Sequence, residues 1–194
     1  KSVFLQYYLV MEKTIEVNGV PYTIIKLLGH GKGGYSYLAQ SGKKKVCLKQ
    51  IHHEPCDYYQ FGNKIQAEKN DYARLSSAGI RIPGLIDIDE ENERLVKDFI
   101  SGDTIFDLVK NDCELSSFLL QVRFMAEQAK NAGLNIDYFP TNFVVSDSEE
   151  SKGELFYIDY ECNSYMDEWN FENWGIKYWS KTQEFFDYLK KSEK

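Results

Sequence analysis

The feature that most limits what this chain can fold into is a run of short apolar segments in its first half, each closed by a turn too short to hold a helix. Thr14-Ile15-Glu16-Val17 alternates and ends in Asn18-Gly19, a pair suited to a two-residue hairpin whose central residues both need positive φ. Tyr22–Leu28 then reads as a strand, Tyr35–Ala39 as its hairpin partner and Lys45–Ile51 as a third strand. A parallel pair would need a crossover of about a dozen residues, so these strands must pair antiparallel.

After this sheet the period changes. From Gly62 to Ala78 the apolar residues Ile65, Tyr72 and Leu75 stand among charged ones at helical spacing, until Pro83-Gly84 ends the pattern. Arg94–Ile100 reads as the last strand of the sheet, and Ser101-Gly102 as the boundary that follows it. Beyond it, Asp103 or Thr104 caps a short helix through Val109, and a longer helix runs from Leu115 to Ala132 and stops at Gly133. Asn142–Val145 and Leu155–Ile158 read as a two-stranded ribbon, and the aromatic tail from Trp169 to Leu189 as helical packing. Trp169, Trp174 and Trp179 do not keep one helical face and are read as core. The expected fold class is α+β with two lobes, an N-lobe over residues 1–101 and a reduced, mainly helical C-lobe over 102–194.

Composition narrows the partners. A hydrophobic fraction of 43% and a charged fraction of 27% are those of a globular protein, and a net charge of −7 argues against nucleic acid or an anionic membrane as a partner. The apolar run Val3–Val10 is shorter than a membrane span and lacks the flanks of a signal peptide. Cys47, Cys56, Cys113 and Cys162 show no metal-binding spacing and read as reduced thiols, which suits a cytoplasmic protein.

Two groups of residues carry chemistry. The first is Gly29-His30-Gly31-Lys32-Gly33-Gly34, a Gly-x-Gly-x-x-Gly that leads into a strand rather than a helix and lacks the Lys-Ser/Thr ending of a Walker loop. What remains is a hairpin turn whose bare backbone N–H groups can approach phosphates. Lys49, on one face of its strand with Cys47, is placed to hold phosphates as a point charge, and Glu68 rather than Asp71 is the acid expected to steady it. The plainer alternative is an edge lysine and a solvated helix glutamate.

The second group is Asn135-Ile136-Asp137-Tyr138-Phe139-Pro140-Thr141-Asn142, a turn expected to present Asp137 and Asn142 on one side. Asp137 would accept a hydroxyl proton and Asn142 would offer an amide oxygen to a metal. Asp159, closing the apolar strand Leu155–Ile158, would be the second oxygen ligand, and oxygen donors suit magnesium. The alternative for Asp159 is a turn cap; Glu161 could serve either purpose.

By order and spacing over roughly residues 22–175, the chain resembles the protein kinase-like superfamily. Leu28–Gly34 is similar to its glycine-rich loop, Val46–Lys49 to its lysine strand, Glu68 to the helix partner of that lysine, Asp137 with Asn142 to its D-x-x-x-x-N loop, and Asp159 to its metal-binding aspartate. The departures are as specific. Asn135 stands in place of the family's histidine, Phe139 in place of a lysine that steadies the γ-phosphate, and Asp159-Tyr160-Glu161 in place of D-F-G, with no A-P-E segment after it. These departures and the compact second half resemble the atypical branches: aminoglycoside- and choline-kinase-like enzymes, and minimal RIO-like serine/threonine kinases.

The resemblance implies ATP and Mg2+ as cofactors. It places Leu28, Ser36 and Cys47 along the adenine cleft, with the hinge near Lys97–Ile100 and the backbone of Asp98 and Ile100 at adenine. The activity it implies is transfer of the γ-phosphate to a protein hydroxyl. A small-molecule kinase and a weakly active nucleotide-binding scaffold are the other two readings; the acceptor itself is not specified.

Overall fold

The computed structural model describes residues 13–55 and 62–192, so Val3–Val10 and Cys56 lie outside the described residues. The chain divides into two compact units, Lys1–Gln60 with Ile86–Asp98 and Phe61–Leu85 with Phe99–Lys194. A single crossing near Ser101 was expected. The chain instead crosses after Gln60, after Leu85 and after Asp98, because the helix following the first strands buries Leu75, and the residues beyond it Ile80, in the apolar core of the second unit. Among the described residues, no helix is long and apolar enough to cross a membrane.

The first unit is built on a sheet of β1 (Thr14–Val17), β2 (Val20–Gly31), β3 (Gly34–Ser41), β4 (Lys44–Ile51), β5 (Leu85–Asp89) and β6 (Arg94–Asp98), in the order β1-β2-β3-β4-β6-β5. The pairings from β1 through β4 to β6 are antiparallel, as the short turns require. Asn18 (φ 46°) and Gly19 (φ 81°) form the positive-φ turn between β1 and β2. The Asn18 side chain also donates to Asp87 Oδ1 at 2.8 Å and to the Ile88 carbonyl at 2.9 Å, and Arg94 donates to the Glu16 carbonyl at 2.7 Å. These bonds draw β1 back toward β5 and β6, so the sheet curls. Alternation then sorts its faces: Val17, Tyr22, Ala39, Val46, Leu48 and Val96 close into one apolar cluster, leaving Cys47 and Lys49 on the other face.

The second unit begins with α1 (Lys64–Ser77), whose first turn is capped by Asn63 Oδ1 accepting from the Gln66 N–H at 3.0 Å. The chain then adds β7 (Gly102–Thr104), α2 (Ile105–Lys110), α3 (Ser116–Asn131), β8 (Leu134–Ile136), β9 (Phe143–Ser146), β10 (Leu155–Tyr157), β11 (Cys162–Ser164) and α4 (Gln183–Ser192). Thr104 caps α2 by accepting from the Asp107 N–H at 3.1 Å. Helix α3 turns Val122, Met125 and Ala129 inward, the three- and four-residue spacing its sequence shows, and Gly133 at φ 70° ends it. Trp179, Tyr138, Tyr157, Phe143, Phe171 and Phe185 fill the core, where each large apolar side chain withdrawn from water contributes about 1.5–3 kcal/mol.

Three features of this unit were not expected from sequence. Strand β9 pairs with β7 as well as β10, and the close approach depends on Gly102 (φ 139°), where a Cβ would fall 1.8 Å from the Val145 carbonyl oxygen. Strands β8 and β11 pair antiparallel, with Ile136 opposite Cys162, so Asp137 and Glu161 leave the two strands side by side. In the tail only α4 is an α-helix; Asp167–Trp169 and Gly175–Tyr178 are 3₁₀ turns. Polar side chains compete for the backbone there, with Asn170 Oδ1 accepting from the Asn173 N–H and Asn173 Nδ2 donating to the Asp167 carbonyl. Trp179 is buried, Trp174 half-buried, and Trp169 is 51% exposed and not core.

Helix α1 and the residues after it are tied to the segment 157–162. The Tyr157 N–H donates to the Arg81 carbonyl at 2.9 Å, and the Tyr160 hydroxyl to the Pro83 carbonyl at 2.5 Å. The Cys162 N–H donates to Asp71 Oδ2 at 3.3 Å, and Arg74 to the Cys162 carbonyl at 3.4 Å. The rings of Tyr72 and Tyr160 lie 5.0 Å apart.

Candidate functional site

In the first unit the glycine turn is the tip of the β2–β3 hairpin. Gly29 pairs with Ser36 and Gly31 with Gly34, and Lys32-Gly33 closes the turn. The glycines differ in what the fold asks of them. A Cβ at Gly34 would lie 2.4 Å from the Gln50 carbonyl oxygen, so strand packing forbids a side chain there. A Cβ at Gly29 or Gly31 would meet nothing within 4 Å. Their missing side chains serve no internal packing and leave the backbone open to a ligand. Leu28 lies in an irregularity of the ladder between Leu27 and Gly29 and is 41% exposed.

Behind the turn, cross-strand register puts Ser36 opposite Lys49, Leu38 opposite Cys47, Leu95 opposite Lys49 and Lys97 opposite Cys47. These six side chains share the face turned away from the sheet's own apolar cluster. Both lysines on it are buried, Lys49 at 8% and Lys97 at 5% exposure. Lysine is seldom buried without a partner, and neither ammonium here lacks one. The sequence offered Lys97 only as the first residue of a backbone hinge and gave its side chain no role; its parity with Lys49 across β4 and β6 becomes visible only with the register. The Asp98 carboxylate faces the other way and pairs with Lys44 at 3.0 Å, so its backbone, not its side chain, is what it can offer a ligand. Ile100 follows β6 and belongs to the second unit, as does Glu68.

In the second unit, Asp137, Asn142 and Asp159 are brought together around one buried tyrosine. Asp137 follows β8, and its Oδ1 accepts from the Phe139 N–H at 3.0 Å, which fixes the carboxylate against its own turn. Asn142 Nδ2 donates to the Asp137 carbonyl at 3.3 Å, and the Asn142 carbonyl accepts from the Ile158 N–H at 2.9 Å, next to Asp159. Asp159 Oδ1 accepts from the Tyr160 N–H at 2.8 Å. Beneath them, the Tyr157 hydroxyl donates to the Glu161 carbonyl at 2.8 Å and accepts from the Asp137 N–H at 3.3 Å. Burial, then the charges of Asp159 and Asp137, push this hydroxyl well above its ordinary pKa, so both carboxylates act on the same oxygen.

The departures have visible physical counterparts. Phe139 packs between Tyr178 and Tyr188, with ring centroids 5.1 and 4.6 Å away, so an aromatic clasp ties the turn to the tail. Asn135 is buried in β8 and donates to the Met166 carbonyl at 2.9 Å. Trp179 Nε1 donates to the Tyr138 carbonyl at 2.8 Å, a second strut under the turn. Asp71, the acid set aside in favour of Glu68, is engaged by Arg74 at 3.0 Å and by the Cys162 backbone. Tyr157 and Trp179 were read from sequence only as strand and core residues; the one clue to more was that a buried hydroxyl or indole N–H needs a partner.

No protein-family model matches the sequence, and no curated protein is significantly similar to it.

Proposed function

We propose that this chain is an ATP- and magnesium-dependent phosphotransferase, a minimal atypical serine/threonine protein kinase that transfers the γ-phosphate of ATP to a hydroxyl. The observation that carries the reading is the frame around Tyr157. Two carboxylates and an amide, spaced in sequence as Asp137, Asn142 and Asp159, are each oriented by backbone hydrogen bonds within one compact unit. Support from the first unit is the open glycine turn at Gly29 and Gly31 and the placement of Lys49 and Lys97, both buried, on one face of the sheet.

The Asn142 amide oxygen and the Asp159 carboxylate are hard oxygen donors of the kind magnesium takes beside phosphates. They would hold the ion, which when bound neutralises charge on the β- and γ-phosphates. Asp137 would receive the acceptor's hydroxyl proton as the oxygen–phosphorus bond forms and the bond to the β-phosphate oxygen breaks, with ADP leaving. Lys49, steadied by Glu68, would hold the α- and β-phosphates, and the backbone at Gly29, Gly31 and Gly34 would cover them. The adenine would lie along Leu28, Ser36 and Cys47, with the Asp98 and Ile100 backbone at its edge. A small hydroxylated acceptor is the second reading. Phe139, which puts a ring where a cation would steady the γ-phosphate, is the observation that favours slow turnover or a binding-only role.

The test is transfer from ATP with magnesium to a generic protein acceptor by the wild type, Asp137→Ala and Asp159→Ala. General base catalysis contributes about 10²–10⁴-fold, so Asp137→Ala should lose at least about a hundredfold. Asp159→Ala should also weaken magnesium-dependent nucleotide binding. Nucleotide binding with no transfer to protein by the wild type would overturn protein kinase activity, and no nucleotide binding at all would overturn the whole reading.

A further inference from the structure

We propose a transition-metal site, suited to Zn2+, formed by His30, His52 and Glu54 at the tip of the β2–β3 hairpin. The three side chains come from two places in the chain, the glycine turn and the residues just after β4. Their ligand atoms lie within 4.8 Å of one another. His30 Nε2 is 3.2 Å from Glu54 Oε2, and His52 Nε2 is 4.0 Å from the same oxygen. Two imidazoles, borderline donors, and one carboxylate make a set that zinc accepts, with a fourth position left for water.

The surroundings hold these ligands in place as outer-shell groups do around known metals. The Tyr35 hydroxyl donates to Glu54 Oε1 at 2.5 Å, leaving Oε2 turned toward the histidines. The His30 ring stacks on Tyr35 at 4.3 Å with 4° between planes, and the His52 ring meets Tyr35 edge-on at 5.2 Å. The His52 ring accepts from the Glu54 N–H at 3.2 Å through Nδ1 and donates to the Gly31 carbonyl at 2.8 Å through Nε2. Metal binding at Nε2 would replace the bond to Gly31 with a metal–nitrogen bond, and the ring proton, moved through solvent to Nδ1, would also end the bond from the Glu54 N–H. The ion would then tie the hairpin tip to the end of β4. The site lies within the first unit and does not depend on the phosphotransfer reading.

The experiment is a titration of the full chain with Zn2+ against a chromophoric chelator, together with the visible spectrum of Co2+ as a probe of tetrahedral nitrogen and oxygen ligation. One metal per chain is expected. His30→Ala and Glu54→Gln should each weaken it by at least about tenfold, the least that losing even an outer-shell group costs. His53→Ala is the control: His53 pairs with Glu93 at 2.5 Å and should leave the affinity unchanged. Circular dichroism of each variant separates lost ligation from lost folding. The proposal is overturned if the wild type takes up no Zn2+, if His30→Ala and Glu54→Gln bind as tightly as it does, or if a folded His53→Ala loses as much affinity.

Discussion

Replacing Tyr157 by Phe tests the frame under Asp137 and Asp159 with a single atom. The ring remains, 5.2 Å from Phe143 in the core, so the loss is confined to a hydroxyl in a residue with no exposed surface. Two backbone groups lose a partner: the Glu161 carbonyl, bonded at 2.8 Å, and the Asp137 N–H, at 3.3 Å. Stranding a buried polar group costs about 1–3 kcal/mol, and the longer bond adds little to that. A domain of this size shifts by about 2–4 °C per kcal/mol, so the melting point should fall by about 2–12 °C. Urea unfolding followed by tryptophan fluorescence should show a lower midpoint at unchanged slope. The pH dependence supplies an independent check. The folded hydroxyl titrates well above 10.0, the value of an unburied tyrosine, so on raising the pH the unfolded chain loses its proton first. The stability this group lends is complete below pH 10 and is lost above it, and the gap between wild type and variant should narrow there. A variant as stable as the wild type at neutral pH, or a gap that holds steady above pH 10, would refute the role given to this hydroxyl.

Other substitutions probe other parts. Gly34→Ala forces a Cβ against the Gln50 carbonyl and should cost about 1–3 kcal/mol, whereas Gly31→Ala enters open space and should leave thermal unfolding unchanged; equal effects would contradict the distinction drawn between them. Burial, then the Asp71 carboxylate, pushes the Cys162 thiol from 9.0 up to about 12, so stability should decline as pH rises from 9 toward 12, and Cys162→Ala should flatten that slope in urea titrations. Trp179→Phe strands the Tyr138 carbonyl and opens a cavity; a loss of at least about 2 kcal/mol in thermal unfolding is expected, and none would mean the strut carries no load.

The first-unit sheet was largely legible because its signals are local. Asn18-Gly19 names its own turn, and alternation in Val46–Lys49 gives the face of each residue before any partner strand is known. Helices α1 and α3 were legible for the same reason, within a few residues at each end. What escaped notice depended on pairing across long separations. Nothing around Gly102 announces a strand, because β7 exists only through its contact with β9, and the β8–β11 pair joins Ile136 to Cys162 across a whole ribbon. The tail misled because its aromatic content suggested helical packing, while the side chains of Asn170 and Asn173 broke it locally. In the candidate site, Asp137, Asn142 and Asp159 stood out by spacing. Tyr157 and Lys97 did not, since a hydroxyl's two partners and a lysine's neighbour across the ladder are facts of register.

The hydrogen bonds that fasten α1 and its exit to the segment 157–162 bear on how such a protein is switched. In the phosphotransfer reading, control by swinging a helix requires that the carrier of Glu68 part from the segment that carries Asp159. Here the two are stitched by bonds from Tyr157, Tyr160, Arg74 and the Cys162 N–H. At about 1 kcal/mol net for each, four such bonds would hold the parted form near one molecule in about a thousand. In that reading the helix stays in place, and control would act elsewhere than on its position.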